Sequence, residues 1–328
     1  MLVAVNFHYI RKTFDAPFPS IFGVTPKEFS DQLDILGKTA QFLGSDDICD
    51  IIDGTKSLPP KAVVITFDDG FKEQYELAWP ILKEKGIPAI FFVNTRPIEE
   101  NFVPTVHKIH IIRAYTPPER FLDILISILK NRGCSLTFPS KQKAKEVYRY
   151  DSEEDAQLKY FLNYVLNETE RICVVDQCFE MLGFNERRIS KDLYMTKKMV
   201  AELAKAGAIG THGHEHLPLG LQDDATAKRD FDISIQKLHQ WTGEKIVSLS
   251  YPYGFREACS IDVAEHAQKK NIRFAFTMER TGNITIDAPM FIGRFSNNDV
   301  PGGKNCIVND EEFWTGLKHA TWFRTGRK

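Results

Sequence analysis

The chain has 328 residues, of which 43% are hydrophobic and 26% are charged, so it is long and apolar enough to bury a substantial core. Its net charge of −2 provides no basic surface for nucleic acid, and no stretch has the roughly 18 consecutive apolar residues of a membrane-spanning helix. The six cysteines include no Cys-x-x-Cys pair, which argues against a disulfide framework and a thiolate zinc site.

The N-terminus starts with an apolar run that no basic region precedes, and His8 interrupts this run early. A secretory signal has a basic start and a longer apolar stretch. We therefore expect a cytoplasmic protein without a nucleic-acid partner and without an integral membrane segment.

Strand and helix patterns alternate in the first third of the chain. Short runs of β-branched and aromatic residues indicate strands, and apolar residues at helical spacing, bounded by proline or glycine, indicate helices. The predicted elements are a strand over 2–9, a helix from Thr25-Pro26 to Gly37, a strand over 62–67, a helix over 72–85 that bends at Pro80, and a strand over 88–93.

The same alternation resumes after residue 195. The predicted elements are a helix that Thr196 caps and Gly207 ends, a strand over 208–210, a helix over 223–241, a strand over 246–250, a helix over 260–270 and a strand over 273–277. This order is typical of a parallel α/β barrel or sheet.

The segment over 97–195 interrupts the alternation. It contains no convincing strand, and helices are indicated at 118–131 and across 153–182. We expect one α/β domain over 1–328 with this helical insertion, which is either a solvated decoration or a lid that selects substrate. A terminal amphipathic helix is predicted at 310–323.

Two adjacent carboxylates, Asp68 and Asp69, directly follow the predicted buried strand over 62–67. Gly70 permits a tight turn after them, and a helical pattern begins next. In α/β folds the ligand crevice lies at the carboxyl ends of the parallel strands. The pattern therefore predicts that these acids stand at a site of chemistry.

Three histidines, His212, His214 and His216, follow the predicted strand over 208–210. His212 and His216 are four residues apart and can converge on one ion if the segment makes a helical turn. Surface or capping histidines produce the same spacing by chance. Adjacent carboxylates at another strand end would be costly without a cation, which favours a metal site of aspartate and histidine.

The chain resembles the polysaccharide deacetylase superfamily, also called the NodB-homology domain or carbohydrate esterase family 4. Three motifs stand in the order and at the strand ends expected for it: Thr66-Phe67-Asp68-Asp69-Gly70, His212-x-x-x-His216 and Tyr251-Pro252-Tyr253-Gly254. The resemblance covers about 1–95 and 195–295. It implies a NodB-homology catalytic domain with a deformed (β/α)7-type barrel, a divalent metal and hydrolysis of an N-acetyl group on a sugar.

Transferred to this chain, the resemblance makes Asp69, His212 and His216 the metal ligands and Asp68 the catalytic base. It also offers the backbone N–H of Tyr253 as a donor to the oxyanion. Neighbouring side chains at a strand end point in different directions, so one carboxylate can bind the ion while the other faces water. Zinc is the expected metal, and Ni²⁺, Co²⁺, Mn²⁺ or Fe²⁺ suit the same ligands.

The chain departs from the family pattern at two places that concern catalysis. Ser250 stands where many members have an arginine, and the stretch 290–298 lacks the histidine that acts as their general acid. His8 is the first candidate for the acid, because the divergent biofilm-exopolysaccharide deacetylases that the chain resembles have a similar N-terminal histidine. His214 is the second candidate, and Asp68 returning its own proton is the third.

Three residues are candidates for contact with substrate: Tyr251, Arg294 and His214. Tyr251 is equally compatible with a place in the core. Arg294 either binds a carboxylate or phosphate of the substrate, takes over the role of the missing arginine, or forms an ordinary salt bridge.

The sequence therefore favours a metal-dependent hydrolase that removes an N-acetyl group from an amino sugar in a surface-polysaccharide or nucleotide- or lipid-linked sugar pathway. A hydrolase of a small cyclic amide or ureide is an alternative, because the expected fold is similar to that of such hydrolases. A non-catalytic glycan-binding protein that retains the metal is a third reading, which the losses at Ser250 and 290–298 keep open.

Overall fold

A computed structural model of the protein describes residues 1–13, 23–133, 140–148, 151–306 and 308–323. Within these residues the chain forms two compact units, one comprising 1–12, 23–102 and 191–323 and the other lying within 103–190. The strands are β1 (Leu2–Phe7), β2 (Gln41–Phe42), β3 (Ala62–Phe67), β4 (Ala89–Val93), β5 (Ile209–Thr211), β6 (Ser248–Ser250), β7 (Phe274–Phe276) and β8 (Arg294–Ser296).

The α-helices alternate with the strands along the first unit and, with one π-turn, form the regular structure described for the second unit. They are α1 (Pro26–Gly37), α2 (Ser45–Ile52), α3 (Trp79–Lys85), α4 (Thr95–Glu100), α5 (Thr105–Tyr115), α6 (Pro118–Asn131), α7 (Lys141–Val147), α8 (Glu153–Tyr160), α9 (Glu168–Met181), α10 (Glu186–Leu193), α11 (Lys197–Lys205), α12 (Asp224–Thr242), α13 (Ile261–Lys269) and α14 (Asp310–Thr315). In the described part of the chain, none of them combines the length and the apolar character that crossing a bilayer requires.

The strands form a parallel barrel. Their order in the sheet is β7-β6-β5-β4-β3-β1-β8, and every neighbouring pair is parallel. Ile292, just before β8, makes a bridge to Phe276 on β7, so the two edges of the sheet nearly meet. β2 pairs with the start of β3, off this path. The predicted deformed (β/α)7-type barrel is confirmed.

Alternate residues of each strand point into the barrel. Val64, Phe92 and Phe276 belong to one apolar cluster, although β4 and β7 are not neighbours in the sheet. The ring centroids of Phe92 and Phe276 lie 5.7 Å apart, so this cluster fills the barrel interior. Residues of the opposite parity, such as Val63 and Ile65, belong to a second cluster that includes the apolar faces of α1, α11 and α12.

The inward positions become polar toward the carboxyl ends of the strands. On β1 the sequence of inward residues is Leu2, Ala4 and then Asn6, and on β3 the inward Val64 is followed by Thr66. The same parity on the other strands and their extensions supplies a buried polar set, which consists of Asn6, Thr66, Asp68, His212, Ser250 and Arg294. The apolar interior therefore supports a polar layer at one end of the barrel.

Two helices differ from the prediction in their course. The predicted helix over 72–85 begins with a π-turn, Gln74–Ala78, in which the N–H of Trp79 bonds to the carbonyl of Gln74. Pro80 follows and has no N–H to donate, so the regular helical hydrogen bonding is interrupted where the bend was predicted. The extension of the terminal helix to residue 323 was wrong, because α14 ends at Thr315 with the poor helix former Gly316 as its cap.

The unit within 103–190 is helical in its described residues. α6 coincides with the predicted helix over 118–131 and packs against α8 and α9. The helical pattern across 153–182 is divided into α8, a π-turn and α9, because Leu166 is extended and Asn167 caps a new helix.

Candidate active site

Asp69, His212 and His216 converge at the carboxyl end of the barrel. The Nε2 atom of His216 lies 3.2 Å from Oδ1 of Asp69, and the Nε2 atom of His212 lies 3.6 Å from the same oxygen. All three side chains are buried, and their ligand atoms lie within 4.8 Å of one another. Ligands about 2.1 Å from a tetrahedral zinc ion are roughly 3.4 Å apart, so this donor set fits a divalent cation.

The imidazole of His212 is held in the form that a metal ligand needs. Its Nδ1 atom lies 2.8 Å from the carbonyl oxygen of Ser250 and donates to it, so the lone pair is on Nε2, toward Asp69. Burial lowers the pKa of His212 to about 4, against the opposing effect of the nearby carboxylates. The ring is therefore neutral at pH 7, and a backbone carbonyl orients it as in known metal sites.

Backbone strain is concentrated at this site. Asp69, His216 and Tyr253 have φ angles of 75°, 60° and 62°, in the left-handed region that residues with a Cβ rarely adopt. Such conformations persist where the surrounding structure imposes them, and they are common at active sites. The strained turns after β3, β5 and β6 direct side chains from three strand ends to one place.

Asp68 forms a buried ion pair with Arg294. Oδ1 of Asp68 accepts a hydrogen bond of 2.9 Å from Nη1 of Arg294, and Oδ2 accepts one of 2.7 Å from Nη2. The Arg294 side chain has no exposed surface, and Asn6 donates a third hydrogen bond, of 2.9 Å, to Oδ2. Paired donors of this kind fix a carboxylate in orientation as well as in charge.

Ser250 completes the arginine's surroundings. Nη2 of Arg294 lies 2.9 Å from the Ser250 hydroxyl, and Nη1 lies 3.2 Å from the Thr66 hydroxyl. Ser250 thus occupies the position where many family members have an arginine, and Arg294 on β8 supplies the guanidinium group instead. Because Arg294 is fully buried and paired, the structure favours this replacement role over contact with substrate.

The ion pair determines the protonation state of Asp68. Burial is the largest single influence and would raise the pKa of this carboxyl, but the Arg294 guanidinium leads the opposing influences, which together lower the pKa to about 2. A positive charge on His212 or on His8 would also lower the pKa of Asp68. Asp68 is therefore an ionised carboxylate at neutral pH and can accept a proton.

The two other predicted contacts with substrate are not supported by the geometry. Tyr251 is fully buried, and its ring lies parallel to that of Phe291 at 6.0 Å. It follows the inward Ser250, so its side chain points away from the barrel interior. The His214 ring faces α4, with Nδ1 2.9 Å from the Thr95 hydroxyl and Nε2 3.7 Å from the Glu100 carboxylate.

His8 and Tyr253 remain on the accessible side of the site. His8 directly follows β1 and is exposed, and a positive charge on its ring would lower the pKa of Asp68. The Tyr253 side chain is 40% exposed, and its ring meets the His216 ring edge to face at 4.8 Å. Both side chains are therefore open to solvent, whereas those of Asp68 and Asp69 are buried.

Asp230, which the sequence analysis missed, shapes the histidine loop. Its buried carboxylate accepts hydrogen bonds from the backbone N–H groups of His214, at 2.9 Å, and Glu215, at 2.7 Å. These bonds hold the turn that brings His216 back toward His212. The available signal was a carboxylate within the buried stripe of α12, beside Phe231.

Gly213→Ala is expected to lower the free energy of unfolding by about 2 kcal/mol or more and to reduce activity. Gly213 has a φ of +75°, and a Cβ there would lie 2.6 Å from Oδ2 of Asp230. Gly207→Ala is the matched control, because its φ is +67° and a Cβ would meet nothing within 4 Å. It incurs only the left-handed strain of about 1 kcal/mol. Urea unfolding compares the two, and equal losses would contradict the role assigned to Asp230.

A buried cluster of aspartate and two histidines beside an ionised carboxylate, at the carboxyl end of a parallel α/β barrel, defines a hydrolytic centre with a candidate metal site. The family model named polysaccharide deacetylase matches residues 55–272, well over half of the chain. The chain therefore belongs to the polysaccharide deacetylase family, as its motifs predicted, and is a carbohydrate deacetylase. A comparison with curated proteins finds no match.

Several solved structures share the fold. IcaB from Ammonifex degensii is 19% identical, with a TM-score of 0.55 over 96% of this chain and 94% of that one. PplD of Streptococcus pyogenes, in complex with acetate, is 14% identical, with a TM-score of 0.54 over 90% and 91%. A de-N-acetylase from Aggregatibacter actinomycetemcomitans is 16% identical, with a TM-score of 0.53 over 90% and 94%. At these identities the likeness concerns the fold.

Proposed function

We propose that this protein is a metal-dependent N-deacetylase that hydrolyses the acetamide of an amino sugar, with Asp68 as the catalytic base. The observation that supports this most directly is the bidentate Arg294–Asp68 pair, which holds an ionised carboxylate next to the Asp69, His212 and His216 cluster. The family supplies the substrate class, and the arrangement of the side chains suggests the division of roles.

Asp69, His212 and His216 would hold the cation through one carboxylate oxygen and two imidazole nitrogens. Zinc is the proposed metal for this donor set, and nickel, cobalt, manganese or iron are compatible with it. When bound, such an ion polarises an acetamide carbonyl and lowers the pKa of water, so that a weak base suffices. A carboxylate with a pKa near 2 is a weak base of this kind.

Asp68 takes a proton from the attacking water as the oxygen adds to the acetyl carbon. Its carboxylate keeps its position during this transfer because Arg294 and Asn6 hold both oxygens. The backbone N–H of Tyr253 is the proposed donor to the developing oxyanion. His8 is the proposed acid for the departing amine, since its exposed ring follows β1 near Asp68, whereas the His214 ring is engaged by α4.

Acetate release from N-acetylated amino sugars tests this function. After chelation we expect no turnover, and added Zn²⁺ or Co²⁺ should restore it. Asp68→Asn should lower kcat by a factor of about 10² to 10⁴, the range attributed to a general base. Absence of metal-dependent turnover on any sugar acetamide or cyclic amide would overturn the proposal and leave a glycan-binding protein. Turnover of ureides alone would change the substrate class.

The place of the substrate in the cell stays a prediction. We propose that the substrate is a nucleotide- or lipid-linked precursor of a surface polysaccharide and that the reaction takes place in the cytoplasm. Comparison of kcat/KM for a free amino sugar, a nucleotide-linked sugar and an oligosaccharide would identify the preferred form.

A further inference from the structure

We propose that Gln74 is a positioning residue that holds His8 in register with Asp68 so that His8 can protonate the departing amine. This inference depends on the proposed function, because it assigns Gln74 a part in the same reaction. Gln74 is fully buried and lies outside the three family motifs, four residues after Gly70.

The amide of Gln74 connects the ends of two neighbouring strands. Its Nε2 atom donates to the carbonyl oxygen of His8 at 2.8 Å and to the carbonyl oxygen of Asp68 at 2.6 Å. Each amide has two N–H donors, and here both are used on the chain segments that follow β1 and β3. Its Oε1 atom has no hydrogen-bond partner among the described residues, so the side chain is retained for its donors.

The residues that follow His8 are also fixed to the segment after Asp68. Glu73 accepts a hydrogen bond of 3.0 Å from the N–H of Ile10 and pairs with Arg11 at 3.2 Å. The ring of Tyr9 stacks on that of Phe71 at 4.4 Å. The backbone that follows His8 is therefore anchored to the segment after Asp68, while the His8 side chain itself is exposed.

The π-turn accounts for this arrangement. Gln74 begins the turn, and its carbonyl accepts the N–H of Trp79, five residues on. A π-turn adds a residue to the local winding and changes the direction of side chains, which is why such turns are frequent at functional sites. Here it lets consecutive residues, Glu73 and Gln74, both face the segment over 8–11.

The chemical step that Gln74 supports is the breaking of the C–N bond. The water oxygen has formed its bond to the acetyl carbon, and Asp68 holds the proton that the water released. As the C–N bond breaks, the imidazolium of His8 gives its proton to the amine nitrogen, and acetic acid and the free amine are formed. The acetic acid then returns a proton to His8, and Asp68 gives its proton to the amine, so that acetate and an ammonium group leave and both residues regain their starting states. An amine departs poorly without this proton, whereas the phenolate of an aryl acetate departs without it.

The difference between these leaving groups provides the test. For Gln74→Met we expect kcat for an N-acetylated amino sugar to fall roughly 10-fold or more, within the range of general acid catalysis, with KM nearly unchanged. Hydrolysis of an aryl acetate should stay within about a factor of two of the wild-type rate. His8→Ala should show the same split, and adding Gln74→Met to it should cause no further loss on the amide.

Gln32→Met is the matched control. Gln32 is also a buried glutamine whose Nε2 donates to two backbone carbonyls, those of Asn297 at 2.7 Å and Pro301 at 3.3 Å. Gln32→Met should lose about as much stability as Gln74→Met, but its rates on the amide and on the aryl acetate should change by the same factor. An equal loss on both substrates for Gln74→Met, or no split for His8→Ala, would overturn the inference. Neither result would bear on the proposal that Asp68 is the catalytic base. That proposal fails only if Asp68→Asn retains amide turnover.

Discussion

Arg294→Met is expected to remove nearly all deacetylase activity and to lower the free energy of unfolding by about 3–5 kcal/mol, because it leaves the charge of Asp68 buried without a partner. Arg294 makes hydrogen bonds to Asp68, Ser250 and Thr66 and has no exposed surface. Methionine fills part of the volume but donates nothing. A base displaced by about 1 Å typically costs 10²-fold in rate, so kcat should fall at least that far.

A second substitution separates stability from catalysis. Asp68→Asn combined with Arg294→Met removes both charges, so much of the lost stability should return while activity stays absent. Arg113→Met is the control in the other unit, where it breaks a partly buried pair with Asp155 at 2.9 Å. It should leave kcat unchanged. An active and stable Arg294→Met protein would exclude a role for this pair in orienting the base.

The pair should also be visible in the pH dependence of unfolding. Burial opposes the ionisation of Asp68, but Arg294, with His212 and His8, lowers the pKa from 3.8 to about 2. An ionised group with a lowered pKa stabilises the fold above its unfolded pKa and loses this effect as the pH falls through the folded value. The wild type should therefore lose roughly 2 kcal/mol between pH 4 and pH 2 from this group. Asp68→Asn should lack this component.

The sequence could identify the candidate metal site because its members lie in short local motifs. Asp69 follows a recognisable buried strand, and His212 and His216 are separated by a spacing that a turn can close. Their convergence needs only that the carboxyl ends of parallel strands meet at one end of a barrel. The structure also shows a strained backbone at Asp69 and His216, which no local sequence pattern predicts.

The partner of Asp68 could not be fixed from the sequence. Arg294 lies 226 residues away, and the sequence left three roles open for it. Asp230 and Gln74 were missed for the same reason, since a buried polar side chain that bonds to a distant backbone has no short motif. Tyr251 was left open between the core and a contact with substrate. Its neighbour Ser250 points inward, and strand alternation alone places Tyr251 on the outer side.

The second large effect concerns metal binding. His216→Asn is expected to weaken binding of Zn²⁺ or Co²⁺ by more than about 100-fold, beyond the loss typical of residues that only orient a ligand. Asparagine tolerates the left-handed backbone that His216 adopts at φ 60°, so the substitution should spare the loop. In the wild type, metal at about 1,000 times its Kd should stabilise the fold by about 4 kcal/mol, a gain that the variant should lose.

His214→Asn is the control for this prediction, because it lies in the same loop two residues away and its ring contacts Thr95 and Glu100 instead of Asp69. Thermal unfolding with and without Zn²⁺, and the visible absorption of bound Co²⁺, measure binding without reference to any substrate. A protein that binds metal through Asp69, His212 and His216 keeps both signals in His214→Asn and loses them in His216→Asn. If His214→Asn lost both signals and His216→Asn kept them, the metal ligands would be wrongly assigned among the three histidines. Asp68, a weak base because of its low pKa, would then have no cation beside it to activate the water.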